Sequence, residues 1–382
     1  MQLSDKLYYY TIKQSEFWED IEKHSSSDGM FWFDGLKKYN SFSMMARAGE
    51  WDMPFEYEIT PGYEIPKYDP TFNKPFDQIM DEKALQIRNR IRAGEKFALM
   101  YSGGIDSTAI LVSLIKNLNA EEFESITLFT SRSAEYENPY FWQKYILNKI
   151  NIVDSKTVPV SNLVESGFTI ITGDNGDSIF GTFVSLEFYV KHGSTFSEKH
   201  YSNYADELSN FFAFDNSERG LKCGRMMYEK YDRNIRSVDV PIYTIHDYFW
   251  WTIFNLKYTE CSIRGSINVN KKMPVKTYLD LVVNWFNDED YQKWSMVNNN
   301  NGQKIKSYIS TYKYIIRKYI YDFDKNDWYF YFKDKIASLS NIRSSSYDKT
   351  VVGVDSNYNV LRSTDDSVRD YFRNKFANYK SN

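Results

Sequence analysis

Cysteine is scarce in this chain: Cys223 and Cys261 are its only two in 382 residues. Neither sits in a CxxC pair or beside a histidine at metal-ligand spacing, so neither a disulfide framework nor a zinc site has the ligands it needs. A reducing, cytoplasmic setting is expected. Long apolar runs are also missing. No segment approaches the ~18 uninterrupted apolar residues of a membrane span, and the opening "MQLSDKLYYY" lacks the apolar stretch of a signal peptide. A soluble protein with no membrane partner is expected. Nor is there an excess of basic charge: 47 Lys and Arg stand against 51 Asp and Glu, a net charge of -4. That balance provides no field to steer nucleic acid or an anionic surface and points to a small-molecule partner. No internal repeat is present. Aromatic residues, by contrast, are abundant at 18%, and in an acidic chain these rings read as core packing rather than a base-stacking surface.

From Met1 to about Pro75 the text is aromatic and turn-rich, ending in the proline-bearing run "TPGYEIPKYDPTFNKP". Met80, Ala84, Ile87 and Ile91 then recur at helical spacing, with Gly94 placed to cap the helix end. Short apolar segments follow, alternating with helical ones: "KFALMY", "SITLFTS", "KTVPV" and "FTIITG" read as four strands. Alternation of this kind builds βαβ units, hence an α/β fold with a parallel sheet flanked by helices. Beyond about Gly181 the pattern turns helical, as in "DYFWWTIFNLKY" and "TYLDLVVNWF", and "TVVGVDSNYNVLRS" reads as a hairpin around an Asp-Ser-Asn turn. Three consecutive parts are expected: a small α+β region at 1–78, a main domain at 79–335 with a mainly helical C-terminal part, and a tail at 336–382.

The most informative stretch is "YSGGIDST", residues 101–108, between the first strand and a helix. In a parallel sheet, loops at the carboxyl ends of strands are where ligands bind, and a glycine-rich turn into a helix start offers amide donors to an anion. Gly103 and Gly104 let a phosphate approach the backbone, while Ser102, Ser107 and Thr108 supply hydroxyls. The loop has no lysine, so it is not the GxxxxGK[ST] phosphate loop, and nothing else in the chain matches that pattern. Asp106 is telling, because a carboxylate beside phosphates repels them unless Mg²⁺ lies between. Without its neighbours, the turn reads as an ordinary strand-to-helix connection with Asp106 as a helix-start acid.

"SGGIDST" resembles the SGGxDS loop of the PP-loop ATP pyrophosphatases (the adenine nucleotide alpha hydrolase-like fold), which cleave ATP between the α and β phosphates. "ITGDNGDSIFG" resembles the second signature, SGEGxDExFGG, of the asparagine synthetase synthetase domain, shared with β-lactam synthetases. "EYENPYFWQKYI" and "TYKYIIRKY" resemble its acidic segment and its K-x-x-L-R motif. The likeness spans about residues 80–335. It implies ATP and Mg²⁺ as cofactors, with Asp106 and Asp177 as the metal pair. Thr172 and Gly173 would meet the adenylate, and adenine would lie between main chain near Met100 and Leu128. Lys313 would be the catalytic cation, with Arg317 one turn on as the alternative, and Asp280 would match the PFLD acid in a structural role. Asp174 stands where the family has Glu, shortening that acid's reach, and Ser178 replaces its second acid.

Glutamine-dependent members carry a catalytic Cys directly after the initiator Met and a long glutaminase domain. Here Gln2 holds that place, and the N-terminal region is too short. The resemblance thus implies an AMP-forming carbon–nitrogen ligase that adenylates a small carboxylate and passes it to ammonia or an amine. It leaves room for a separate ammonia-supplying protein and for a homo-oligomer. Two other functions stay open: a PP-loop enzyme adenylating a nucleobase or RNA, and an ATP-binding module without turnover.

Overall fold

The computed structural model describes residues 3–11, 15–37, 44–181, 186–193, 195, 198–260, 263, 274–299, 313–333 and 350–381. The chain forms two compact units, one from Pro66–Val190 with Asn268–Tyr347, the other from Met1–Ile65, Lys191–Ile267 and Asp348–Asn382.

The first of these holds a five-stranded sheet. Its strands are β1 (Lys96–Met100), β2 (Ile126–Thr130), β3 (Asn151–Asp154), β4 (Phe168–Thr172) and β5 (Val282–Asn284). They lie in the order β3-β2-β1-β4-β5, and every pairing is parallel. The central strands are apolar because both faces are covered. Leu99 of β1 stands in register with Leu128 on one side and Ile171 on the other, and all three are fully buried. Each such side chain contributes about 1.5–3 kcal/mol by leaving water. Ala98, Phe129 and Ile170 pack against Val160, Leu163 and Val164 of the helix Val160–Glu165. The helix Phe76–Arg92 buries the expected stripe of Met80, Ala84, Ile87 and Ile91. It meets the helix Ile105–Asn117 where the Ser113 hydroxyl donates to Met80 O at 2.7 Å.

Three local expectations change. The third strand is Asn151–Asp154, not "KTVPV". It is an edge strand with mostly exposed side chains, so it has no apolar run to announce it, while Pro159, lacking an N–H, starts the next helix. Strands do not end at Gly181: the β-branched pair Val282–Val283 forms β5 inside text of helical period. Of the helical segments expected between the strands, the one in "NPYFWQKYILNKI" is short, Pro139–Phe141, and continues as a π-helical turn, Trp142–Ile146.

In the other unit, the strand Lys6–Tyr10 pairs parallel with Glu56–Tyr57 and antiparallel with Val351–Asp355, which forms the expected hairpin with Val360–Arg362. Asp355 stabilises the hairpin turn by accepting from the Asn357 and Asn359 amides at 3.0 and 2.8 Å. The abundant rings are core material here: Trp18 and Phe372 lie 5.0 Å apart, Phe33 and Phe376 4.8 Å, Tyr10 and Phe55 4.9 Å. The division into 1–78, 79–335 and 336–382 gives way to this one, because strands from both ends of the chain share a sheet and residues 191–267 pack with them. No helix among the described residues is long and apolar enough to cross a membrane.

Candidate functional site

The strand order reverses direction between β1 and β4: the chain steps from β1 outward to β2 and β3, and from β4 the other way to β5. Loops leaving two such neighbours part to opposite sides and open a crevice at their carboxyl ends. The turn Tyr101–Gly104 follows β1, and Gly173–Asn175 follows β4. Both sequence motifs therefore open at one edge of the sheet.

Gly103 adopts φ +74°, a left-handed conformation that side chains disfavour, and a Cβ there would lie 2.5 Å from Ala134 O and 2.6 Å from Glu137 Cβ. Glycine is thus required twice over. Gly104 caps the helix Ile105–Asn117 in an extended conformation, and the first helical bond, Thr108 N to Gly104 O, spans 2.9 Å. A helix start leaves its first amides without intrahelical acceptors, and here the intrahelical ladder begins only at Thr108. Ser102 and Ser107 line the turn, with the Ser107 hydroxyl donating to Gly104 O at 3.2 Å and accepting from Ser102 N at 3.3 Å. The Gly104 N–H donates to Ser102 Oγ at 3.3 Å. Thr108 differs: it is fully buried, and its hydroxyl sits 3.2 Å from that of Tyr329 and 3.5 Å from that of Tyr101, facing the core rather than the crevice.

Asp106 and Asp177 come together. Lys313 Nζ donates to Asp106 Oδ1 and Oδ2 at 2.7 and 2.6 Å and stands 2.8 Å from Asp177 Oδ1. The lysine side chain is 3% exposed, the two acids 25% and 37%. Two carboxylates on one ammonium leave the cluster with a net negative charge. Lys313 precedes the helix Tyr314–Asp324 with φ +59°, an uncommon left-handed backbone for a lysine, and Asn175 ahead of Gly176–Phe180 has φ +71°. Gly176 has no such backbone need, yet a Cβ on it would lie 2.6 Å from Asp106 Cγ. It is glycine because the Asp106 carboxyl group rests on its Cα.

The remaining predicted residues divide. Thr172 ends β4, donating to Asn284 Oδ1 at 2.7 Å and accepting from Asp174 N at 3.4 Å. A Cβ on Gly173 would meet Asp106 Cβ at 3.2 Å. Asp174 is partly exposed, whereas Ser178 is buried and its hydroxyl has no hydrogen-bond partner among the described residues. Met100 reaches the sheet edge, half-buried, but Leu128 lies mid-strand with its main chain in the ladder; Thr130 ends β2. Arg317 is tied to main-chain carbonyls. It is fully buried and donates to Phe330 O at 2.9 Å, Lys333 O at 2.8 Å and Tyr329 O at 3.3 Å. Asp280 ends a short helix before β5. Cys223 is buried in the other unit, and Cys261 and Gln2 lie outside the described residues.

Sequence reasoning missed Tyr329, Asn284 and the buried ion pair of Glu137 with Lys333. Tyr329 lies 226 residues from Gly103 along the chain, and no local pattern marks it. Among the described residues no group of three or more His, Cys, Asp or Glu is arranged to hold a metal. A carboxylate pair is nevertheless a suitable anchor for Mg²⁺, which keeps waters and takes oxygens from substrate phosphates rather than from an all-protein cage. The site combines a helix start, hydroxyls, two acids and a cation, a set able to hold a polyanion with its counter-ion. No family model, curated protein or solved structure matches the chain.

Proposed function

We propose that the chain is an ATP-dependent ligase that adenylates a small carboxylate and transfers it to ammonia or an amine, releasing AMP and pyrophosphate. One observation carries the reading: Asp106 and Asp177, from the loops after β1 and β4, meet on the ammonium of Lys313 beside the glycine turn, in the switch-point crevice. A structural ion pair needs no such address. The glycine turn and its helix start would take the β and γ phosphates. Asp106 and Asp177 would hold Mg²⁺, which when bound neutralises phosphate charge and orients the leaving pyrophosphate. Lys313, a compact cation within reach of both acids, would stabilise the negative charge that builds on the α phosphate.

In the first step a substrate carboxylate oxygen attacks the α phosphorus as the bond to pyrophosphate breaks. In the second, a nitrogen nucleophile attacks the acyl carbon, AMP departs and the nitrogen loses a proton. The enzyme's contribution is positioning, charge neutralisation and exclusion of water from the mixed anhydride. The test is pyrophosphate and AMP release from Mg·ATP with a panel of carboxylic acids, with and without ammonium. Acid-dependent pyrophosphate, with amide formed when ammonium is added, supports the ligase, and Asp106→Asn or Asp177→Asn should abolish it in a protein with unchanged circular dichroism. Pyrophosphate that appears only with RNA would transfer the site to nucleobase activation. Nucleotide uptake with no pyrophosphate under any condition would reduce it to a binding module.

A further inference from the structure

The turn that follows β1 is held from behind by the helix Asp327–Phe332. Tyr329, 1% exposed, places its hydroxyl 3.0 Å from Gly103 O and 3.2 Å from Thr108 Oγ1. A carbonyl oxygen can only accept, so the phenol proton goes to Gly103 O. In a trans peptide the carbonyl and the following N–H point in opposite directions. With Gly103 O drawn into the core, the Gly104 N–H is turned away from it, to the side where the partly exposed Ser102 hydroxyl accepts it at 3.3 Å. The brace is itself fixed. Asn326 Oδ1 accepts from Tyr329 N at 3.2 Å, Arg317 binds the carbonyls of Tyr329, Phe330 and Lys333, and Lys333 pairs with Glu137, whose Cβ fills the space a Gly103 side chain would need.

We infer that Tyr329 is a positioning residue for anion binding: its buried phenol locks the Gly103–Gly104 peptide so that the Gly104 N–H is presented to an incoming phosphate. The identity of that anion rests on the nucleotide reading above; the orientation of the peptide does not. Fully buried phenols have other uses in a core, but this one gives its proton to a carbonyl whose rotation would reverse a loop donor.

The experiment compares the full chain with Tyr329→Phe, using Tyr331→Phe on the exposed side of the same helix as the control. Hydrogen exchange is followed at the amides of 103–106, and calorimetry measures uptake of magnesium pyrophosphate and of AMP. Expected for Tyr329→Phe are faster exchange at these amides and pyrophosphate binding weaker by roughly fivefold, the equivalent of one ordinary hydrogen bond, with AMP binding unchanged. Unaltered exchange, or pyrophosphate binding equal to that of the parent chain, overturns the inference. Parallel losses for pyrophosphate and AMP would also overturn it, since they would mark a merely structural role. A parent chain that takes up neither pyrophosphate nor ATP removes the nucleotide reading, and the Gly104 donor role with it, a result distinct from failure of the variant alone. Should Tyr329→Phe not fold, Thr108→Val, which deletes the other hydroxyl beside the phenol, reports through the same two measurements.

Discussion

Asp106 is in contact with three groups that sequence separates widely: the ammonium of Lys313 and the backbones of Gly173 and Gly176. Two predictions follow from that crowding. In Gly176→Ala the new methyl would fall 2.6 Å from Asp106 Cγ, closer than carbon atoms approach, so the acid must move. Magnesium-dependent ATP affinity should fall at least tenfold in calorimetry, while the melting temperature changes little because the acid is partly exposed. Lys313→Met removes the cation that both acids now share. Mn²⁺ binding to the nucleotide-free chain, followed by electron paramagnetic resonance, should tighten as the two carboxylates lose their competitor, while pyrophosphate release is lost. Weaker Mn²⁺ binding in that variant would mean the acids do not form a cation site. Asp106 and Asp177 were legible as a pair because each lies just past a strand of one parallel sheet, and Lys313 was legible only through the resemblance of "TYKYIIRKY" to a K-x-x-L-R motif. Tyr329 and Asn284 were not, because their roles depend on which distant strand or helix arrives behind the loops.

At the scale of elements, legibility followed burial. β1, β2 and β4 are largely buried and mostly apolar and could be read directly, whereas β3 is an exposed edge and β5 is three residues long. Edge and short strands take their identity from a neighbour's unpaired amides rather than from their own side chains. The helix Tyr314–Asp324 shows the converse: its motif was legible in "TYKYIIRKY", but the role of its second cation was not. Arg317 ties it to the end of Asp327–Phe332 through main-chain carbonyls, which a sequence pattern cannot display. Arg317→Met should therefore strand several buried acceptors and cost about 3 kcal/mol of stability, since each unsatisfied buried group costs about 1–3 kcal/mol. Denaturant titration of the full chain measures it. A change below about 0.5 kcal/mol, the range of ordinary surface substitutions, would show that the guanidinium carries no such load.

Across the whole molecule, the two ends of the chain close one unit while the parallel sheet forms the other, so the unit built from three segments can be followed by a charge buried only there. Lys230 is that charge. It is 3% exposed, its Nζ lies 4.0 Å from the Trp32 ring centre and 4.8 Å from that of Trp51, and it donates to Asp52 Oδ1 at 2.9 Å. Burial lowers its pKa to about 8 despite the opposing pull of Asp52. The sign is fixed by linkage: between about pH 8 and the ordinary lysine value of 10.5, the unfolded chain keeps a proton that the folded chain has released, so this group adds stability as pH rises. Below pH 8 both states are protonated and the penalty of burying the ammonium is felt in full. Tyr10 and Tyr231, raised by burial, ionise in the folded state only above the ordinary tyrosine range and act in the opposite sense beyond pH 10. Arg47, lowered by burial to about 10, enters only there as well. Between pH 8 and 10 the contribution of Lys230 is isolated by comparison with a chain that lacks this lysine. The difference in melting temperature between the parent chain and Lys230→Met should shift in the parent's favour as pH is raised from 7.5 to about 9.5, a change of order 2 kcal/mol for a group titrating 1.5 units above its folded value. A constant difference across that range would mean the Lys230 ammonium stays protonated in its aromatic surroundings, and that Asp52 and the two indole faces outweigh the loss of water.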